Sequence, residues 1–172
     1  MTKTVLITGA SGGIGAELVP HFAKAGYKLI LVARSKDLLH RIKDRIEKDF
    51  NSDVTIYLID LSKREEREKL IKQVTDNKQK IDVLVNNAGF GLHGTFEDLS
   101  LEKQLAMIEL NISAVTHLAH AFLPQMIEQE SGKILNVASV AAFSPGPNMA
   151  VYYASKAFVL SFTNALISEL KK

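Results

Sequence analysis

The chain has 172 residues, 47% of them apolar, with a formal net charge of +2. The length suits one domain with a sizeable core, and the near-neutral balance offers nothing to nucleic acid or an anionic membrane surface. With no cysteine, disulfides and thiol chemistry are excluded.

In chain order, Met1-Thr2-Lys3-Thr4 leads directly into Val5-Leu6-Ile7, a core strand over 4–8 rather than a signal peptide. Thr8-Gly9-Ala10-Ser11-Gly12-Gly13-Ile14-Gly15 follows, and then Leu18, Phe22 and Ala25 at helical spacing, predicting a helix over 13–25. Strand, glycine turn and helix form the setting in which backbone can cradle a dinucleotide pyrophosphate. Gly9 permits the tight turn, while Gly13 and Gly15 allow close approach of backbone to phosphate and of helix to strand. The free amides and positive end of the new helix then face the anion. Pro20 lies inside this helix and predicts a bend or loosened turn around 16–20.

Further strands are expected over 28–33, 54–59, 81–85 and 133–138, with helices over 36–49, 63–77, 101–130 and 152–170. That alternation predicts an α/β fold, a doubly wound parallel sheet covered on both faces. The first, fourth and fifth strands are rich in Val, Ile and Leu throughout, as strands buried on both sides should be. Ser62-Lys63-Arg64-Glu65 has the form of a capping box. Leu105, Ile108, Ile112, Val115, Ala119, Phe122 and Met126 form one apolar stripe. Pro124 falls late in that helix, and Gly132 suits a left-handed residue just past its end. No run approaches membrane-spanning length and no second domain is visible, so 1–172 reads as a single cytoplasmic domain.

Two places carry chemistry. After the second strand, Leu31-Val32-Ala33-Arg34-Ser35 has no acidic residue to grip a ribose diol. Arg34 offers instead a planar cationic fork suited to a 2′-phosphate, which favours NADP over NAD. Near the end, Tyr152 and Lys156 stand one helical turn apart, thirteen residues and more after Ser139. A phenol ordinarily loses its proton near pH 10. A cation about 4 Å away contributes roughly 4 kcal/mol at an effective dielectric of about 20, in favour of the phenolate. His117 and His120, three apart, lack the further ligands a metal site needs, and no G-x-S-x-G elbow accompanies Ser139.

Gly9-x-x-x-Gly13-x-Gly15, Asn86-Asn87-Ala88-Gly89, Asn111, Ser139 and Tyr152-x-x-x-Lys156 occur in this order over essentially the whole chain. Together they resemble the compact branch of the short-chain dehydrogenase/reductase family. The resemblance implies a Rossmann-type sheet of order 3-2-1-4-5 and hydride transfer between NADP(H) and a carbonyl or alcohol carbon. It implies Tyr152 as general acid and base, Ser139 on the substrate oxygen, and Lys156 on the tyrosine and the nicotinamide ribose. Asn111 would position a water that links Lys156 to solvent. Gly9, Ser11, Gly13, Ile14, Gly15 and Arg34 would hold the phosphates, Asp60 and Leu61 would border adenine, and Asn87, Ala88 and Gly89 would line the cofactor ribose. The helices over 101–130 and 152–170 would form a homodimer or homotetramer interface.

Members of the family continue past the tyrosine–lysine helix with further strands and a substrate-covering segment, which are missing from this chain. Ile134-Leu135-Asn136-Val137 is therefore expected on an open sheet edge, where an apolar strand invites association. The alternative to an enzyme is a truncated module that holds dinucleotide, or associates with other subunits, without turnover.

Overall fold

The structure, a computed structural model, describes residues 2–171. Five parallel strands, β1 (Thr4–Thr8), β2 (Lys28–Ala33), β3 (Val54–Leu58), β4 (Val83–Asn86) and β5 (Lys133–Asn136), stand in the order β3-β2-β1-β4-β5. This is the expected doubly wound topology, and its order reverses between β1 and β4. At such a switch point a crevice opens beyond the carboxyl ends of the strands.

Side chains alternate across each strand, so β1 feeds two cores. Leu6 joins Ile30, Val32, Leu84 and residues of α3 (Arg64–Asp76) and α5 (Ala114–Glu128) on one face. Val5 and Ile7 join Leu29, Leu31, Val83, Val85 and residues of α1 (Gly13–Lys24) and α2 (Lys36–Phe50) on the other. α4 (Leu101–Ile108) and α6 (Ala150–Leu170) complete the helices, and α6 packs on β5 and α4.

Several local expectations are corrected. α1 runs unbroken through Pro20, with Val19 and Ala23 buried to either side of it. The proline deletes one backbone bond, and burial of the core-facing side holds the helix together across it. The interruption falls instead in the long helix, where a π turn spans Glu109–Ser113 between α4 and α5. Its apolar stripe is also displaced. Leu105 is 52% exposed, while Gln104, Met107, Asn111 and Leu118 take the inner side with Val115, Ala119, Phe122 and Met126.

The capping box does not form. α3 begins at Arg64 with Lys63 as its uncapped first flank, and Ser62 Oγ donates to Asp60 Oδ1 at 2.7 Å. Gly132 is not the left-handed residue after α5. Glu130 is, at φ 49°, and the amides of Glu130 and Ser131 bond back to Ile127 and Met126 as a Schellman pair. By length and composition the helical run Leu101–Glu128 is apolar enough to cross a membrane, contrary to the expectation of no such stretch. In this fold much of its apolar side, from Met107 to Met126, is packed inward, and Leu118, Phe122 and Met126 join a core cluster. β5 takes the sheet edge, as expected, but it is not buried on both faces: its residues alternate between exposed and half-buried.

Candidate active site

The ends of β1 and β4 are tied by one hydroxyl. Thr8 Oγ1 donates to Val85 O at 3.1 Å and accepts the amides of Asn87 and Ala88 at 2.9 and 3.0 Å. Asn87 Nδ2 returns bonds to the carbonyls of Thr8 and Gly9. The glycine turn therefore leans on the Asn86-Asn87-Ala88-Gly89 turn, and a side chain at Gly9, which has φ +64°, would run into Asn87 and Ala88. At Gly15 it would run into the Gly9 carbonyl. Gly12 and Gly13 face open space. Among the described residues no side chain caps α1, and no acidic residue lies in its first turn, so its leading amides and positive dipole end face outward unanswered.

Tyr152 and Lys156 lie on one face of α6, over this turn. A cleft of about 290 Å³ is lined by Gly9, Gly12, Gly13, Ile14, Asn87, Ala88, Gly89, Phe90, Gly91, Val137, Ala138, Tyr152 and Lys156. Residues separated by some 140 positions in sequence thus share one wall. Lys156 is only 6% exposed, and its Nζ donates to Val137 O at 2.8 Å. Among the described residues no carboxylate pairs with it, and burial holds its ammonium pKa below the ordinary lysine value.

Asn111 sits behind the cleft at the centre of the π turn, fully buried. Its Oδ1 accepts the Phe90 amide at 3.1 Å, and its Nδ2 donates to Phe90 O and to Ser155 Oγ at 2.9 and 3.0 Å. Ser155 Oγ in turn donates to Tyr152 O at 2.7 Å. Gly89 is required here, because a side chain would meet Asn111 Oδ1 at 2.9 Å.

The remaining site candidates stand apart from the cleft lining. Ser139 opens a 3₁₀ turn (Val140–Phe143), where its Oγ accepts the Ala141 amide at 3.1 Å. Arg34 is exposed after β2, 4.0 Å from the Asp60 carboxylate. Burial pushes the Asp60 carboxyl up, but hydrogen bonds from Ser62 and the charges of Arg34 and Lys63 outweigh it and leave the pKa below the usual carboxylate value. Leu61 is buried just beyond β3, and Ser11 is half-buried in the glycine turn. Four participants escaped the sequence reading: Thr8, Phe90, Ser155 and the Val137 carbonyl. Only Ser155, one helical turn from Tyr152, carried any pattern that could have found it.

A glycine-turned helix N-terminus at the switch point of a parallel sheet, with a phenol and an ammonium on its rim, defines a dinucleotide-binding α/β protein. Residues 3–172 match the short chain dehydrogenase family along their length. The chain belongs to that family. It is 35% identical over 170 residues to an uncharacterised oxidoreductase of Staphylococcus saprophyticus, covering 99% of this chain and 73% of that protein. Among solved structures, a short-chain dehydrogenase from Sphingobium yanoikuyae in complex with NADPH superposes with a TM-score of 0.92 at 37% identity, covering 98% of this chain and 65% of that one. L-sorbose reductase from Gluconobacter frateurii, complexed with NADPH and L-sorbose, superposes with a TM-score of 0.90 at 32% identity, covering 98% and 64%. This chain therefore spans about two thirds of those solved chains.

Proposed function

We propose that this chain is the cofactor-binding and catalytic portion of an NADP(H)-dependent oxidoreductase acting on a carbonyl or alcohol carbon, with Tyr152 as general acid and base. The strongest support is the single cleft in which the open N-terminus of α1 and the Tyr152–Lys156 pair face one another. NADPH in the two solved relatives supports the choice of cofactor.

The chain's groups fit a dinucleotide. The unanswered amides at Gly13, Ile14 and Gly15 suit a pyrophosphate, with Gly9 and Ser11 shaping the turn. Arg34, whose ion pair among the described residues is a long contact to Asp60, would offer its fork to a 2′-phosphate, with Asp60 and Leu61 beside the adenine. Asn87, Ala88 and Gly89 would line the ribose. Bound there, the nicotinamide would supply or accept the hydride.

Tyr152 would give its proton to the carbonyl oxygen as alkoxide develops, or take the alcohol proton in the reverse direction. Ser139 would donate to the same oxygen, since its Oγ accepts from Ala141 N and so keeps its own proton. Lys156 uses one donor on Val137 and keeps two for the ribose and the phenol edge. Both Nδ2 protons of Asn111 are occupied by protein, which leaves a lone pair of Oδ1 for a water on the path from Lys156 to solvent. Exposed Leu101, Leu105, Phe158 and Ile167 on α4 and α6 would supply the homo-oligomer face, for which light scattering is the check.

NADPH oxidation with a panel of small ketones and aldehydes tests the proposal. Tyr152→Phe should lower turnover at least about a hundredfold with an unchanged melting temperature. Arg34→Ala should raise KM for NADPH far more than for NADH. Dinucleotide binding without turnover of any substrate would favour the non-catalytic module instead.

A further inference from the structure

We infer that Arg67 is a positioning residue that clamps the π turn carrying Asn111 to the end of β3. This rests on the proposed role of the Asn111 network. In sequence, Arg67 looks like one of a run of solvated charges, Arg64-Glu65-Glu66-Arg67-Glu68-Lys69. In the fold it is 4% exposed. A buried guanidinium is unfavourable unless its donors are answered, and a hydrocarbon of similar length would fill the slot without that cost.

What a hydrocarbon could not do is hold two backbone segments at once. Arg67 Nη1 donates to Leu61 O at 2.9 Å and, at 3.4 Å, to Glu109 O. Nη2 donates to Glu109 Oε2 at 2.9 Å, while Nε is buried without a partner. Glu109 O is also the carbonyl that accepts the Ala114 amide across the π turn. The guanidinium thus grips both the backbone and the side chain of the residue that opens the wide turn. Two residues on, Asn111 holds both backbone groups of Phe90 and, through Ser155, the carbonyl of Tyr152. The π turn therefore has a fixed anchor on its outer side and the cleft wall on its inner side. The His117 imidazole on α5 registers the same buried charge: its pKa is lowered first by burial and next by Arg67.

Amide hydrogen exchange on the full chain reads the clamp without requiring turnover. In Arg67→Met, exchange at Phe90 should quicken at least tenfold while Leu84 and Val85 in β4 keep their protection. Arg67→Lys should restore it only in part, because a single ammonium nitrogen cannot occupy both the Nη1 position on Leu61 O and the Nη2 position on Glu109 Oε2. Should Arg67→Met fail to fold, Glu109→Gln keeps the Leu61 bond, removes the countercharge and should quicken Phe90 in the same selective way. In the kinetic arm, Arg67→Met should lower kcat about tenfold with the dinucleotide Kd within threefold. In an Asn111→Ala background it should lower kcat no further. Equal loosening of Phe90 and β4, no change at Phe90, or kcat effects of Arg67 and Asn111 that simply multiply would each overturn the inference. A chain without any turnover would sink the oxidoreductase proposal and leave the exchange test standing.

Discussion

The two halves of the sheet hold their functional residues by different forces. Around β1 and β2, Val5, Leu6, Ile7 and Leu29 to Val32 are all essentially inaccessible, so the glycine turn stands on a strand packed from both faces. Around β5 no strand residue is fully buried, and Leu135, Val140 and Phe143 are 45%, 88% and 77% exposed. Tyr152 and Lys156 belong to this less buried half. Their elements are fixed by polar ties: Lys156 to Val137 O, Ser155 to Asn111, and Asn86 through Asn136 to Thr163. Apolar burial sets the strand beneath the glycine turn, and hydrogen bonds set the helix that carries Tyr152 and Lys156.

Substitutions should sharpen or break this contrast. Gly15→Val should have the largest effect, about 3 kcal/mol in urea denaturation, because the new side chain meets the Gly9 backbone carbonyl, which cannot yield. Thr8→Val keeps the shape but strips the shared hydroxyl from Ala88 N and Val85 O. Its expected cost is about 1–3 kcal/mol, together with weaker dinucleotide binding by titration.

Lys156→Met should affect stability through pH. The folded pKa of Lys156 is lowered, so between that value and the ordinary 10.5 the unfolded chain binds more protons and wild-type stability rises with pH. The variant lacks that rise. Its stability relative to wild type should be greatest near neutrality and decline towards pH 10.5, while turnover is lost throughout. A difference that does not vary with pH would remove burial as the cause. Leu135→Lys, on the open strand, should shift stability by no more than about 0.5 kcal/mol while reducing association at high concentration, seen by light scattering. A cost as large as that of Thr8→Val would erase the contrast between the halves.

Much of this was legible in the sequence. The alternation of strands and helices, the glycine turn, Arg34 after β2 and the Tyr152–Lys156 pairing rest on local signals: apolar runs, small residues where backbone must turn, and helical spacing; the strand order was implied only by the family resemblance. Those signals fail where a polar side chain chooses between a neighbour and a distant partner. Ser62 turns back to Asp60 rather than capping α3, and Glu130 rather than Gly132 takes the left-handed position, because α5 ends at Glu128 and Glu130 is the residue just past its cap.

The sequence by itself determined which segments are strands and helices, and which residues could form a dinucleotide cradle, because backbone preference and amphipathic period act over a few residues. Only the tertiary structure decided the rest: the π turn at Asn111, the Thr8 bridge across 80 residues, and a charged Arg67 drawn inside rather than left in solvent. The reason is physical. A polar atom leaves water only when the folded chain brings it a partner, and no spacing in the chain records who that partner will be.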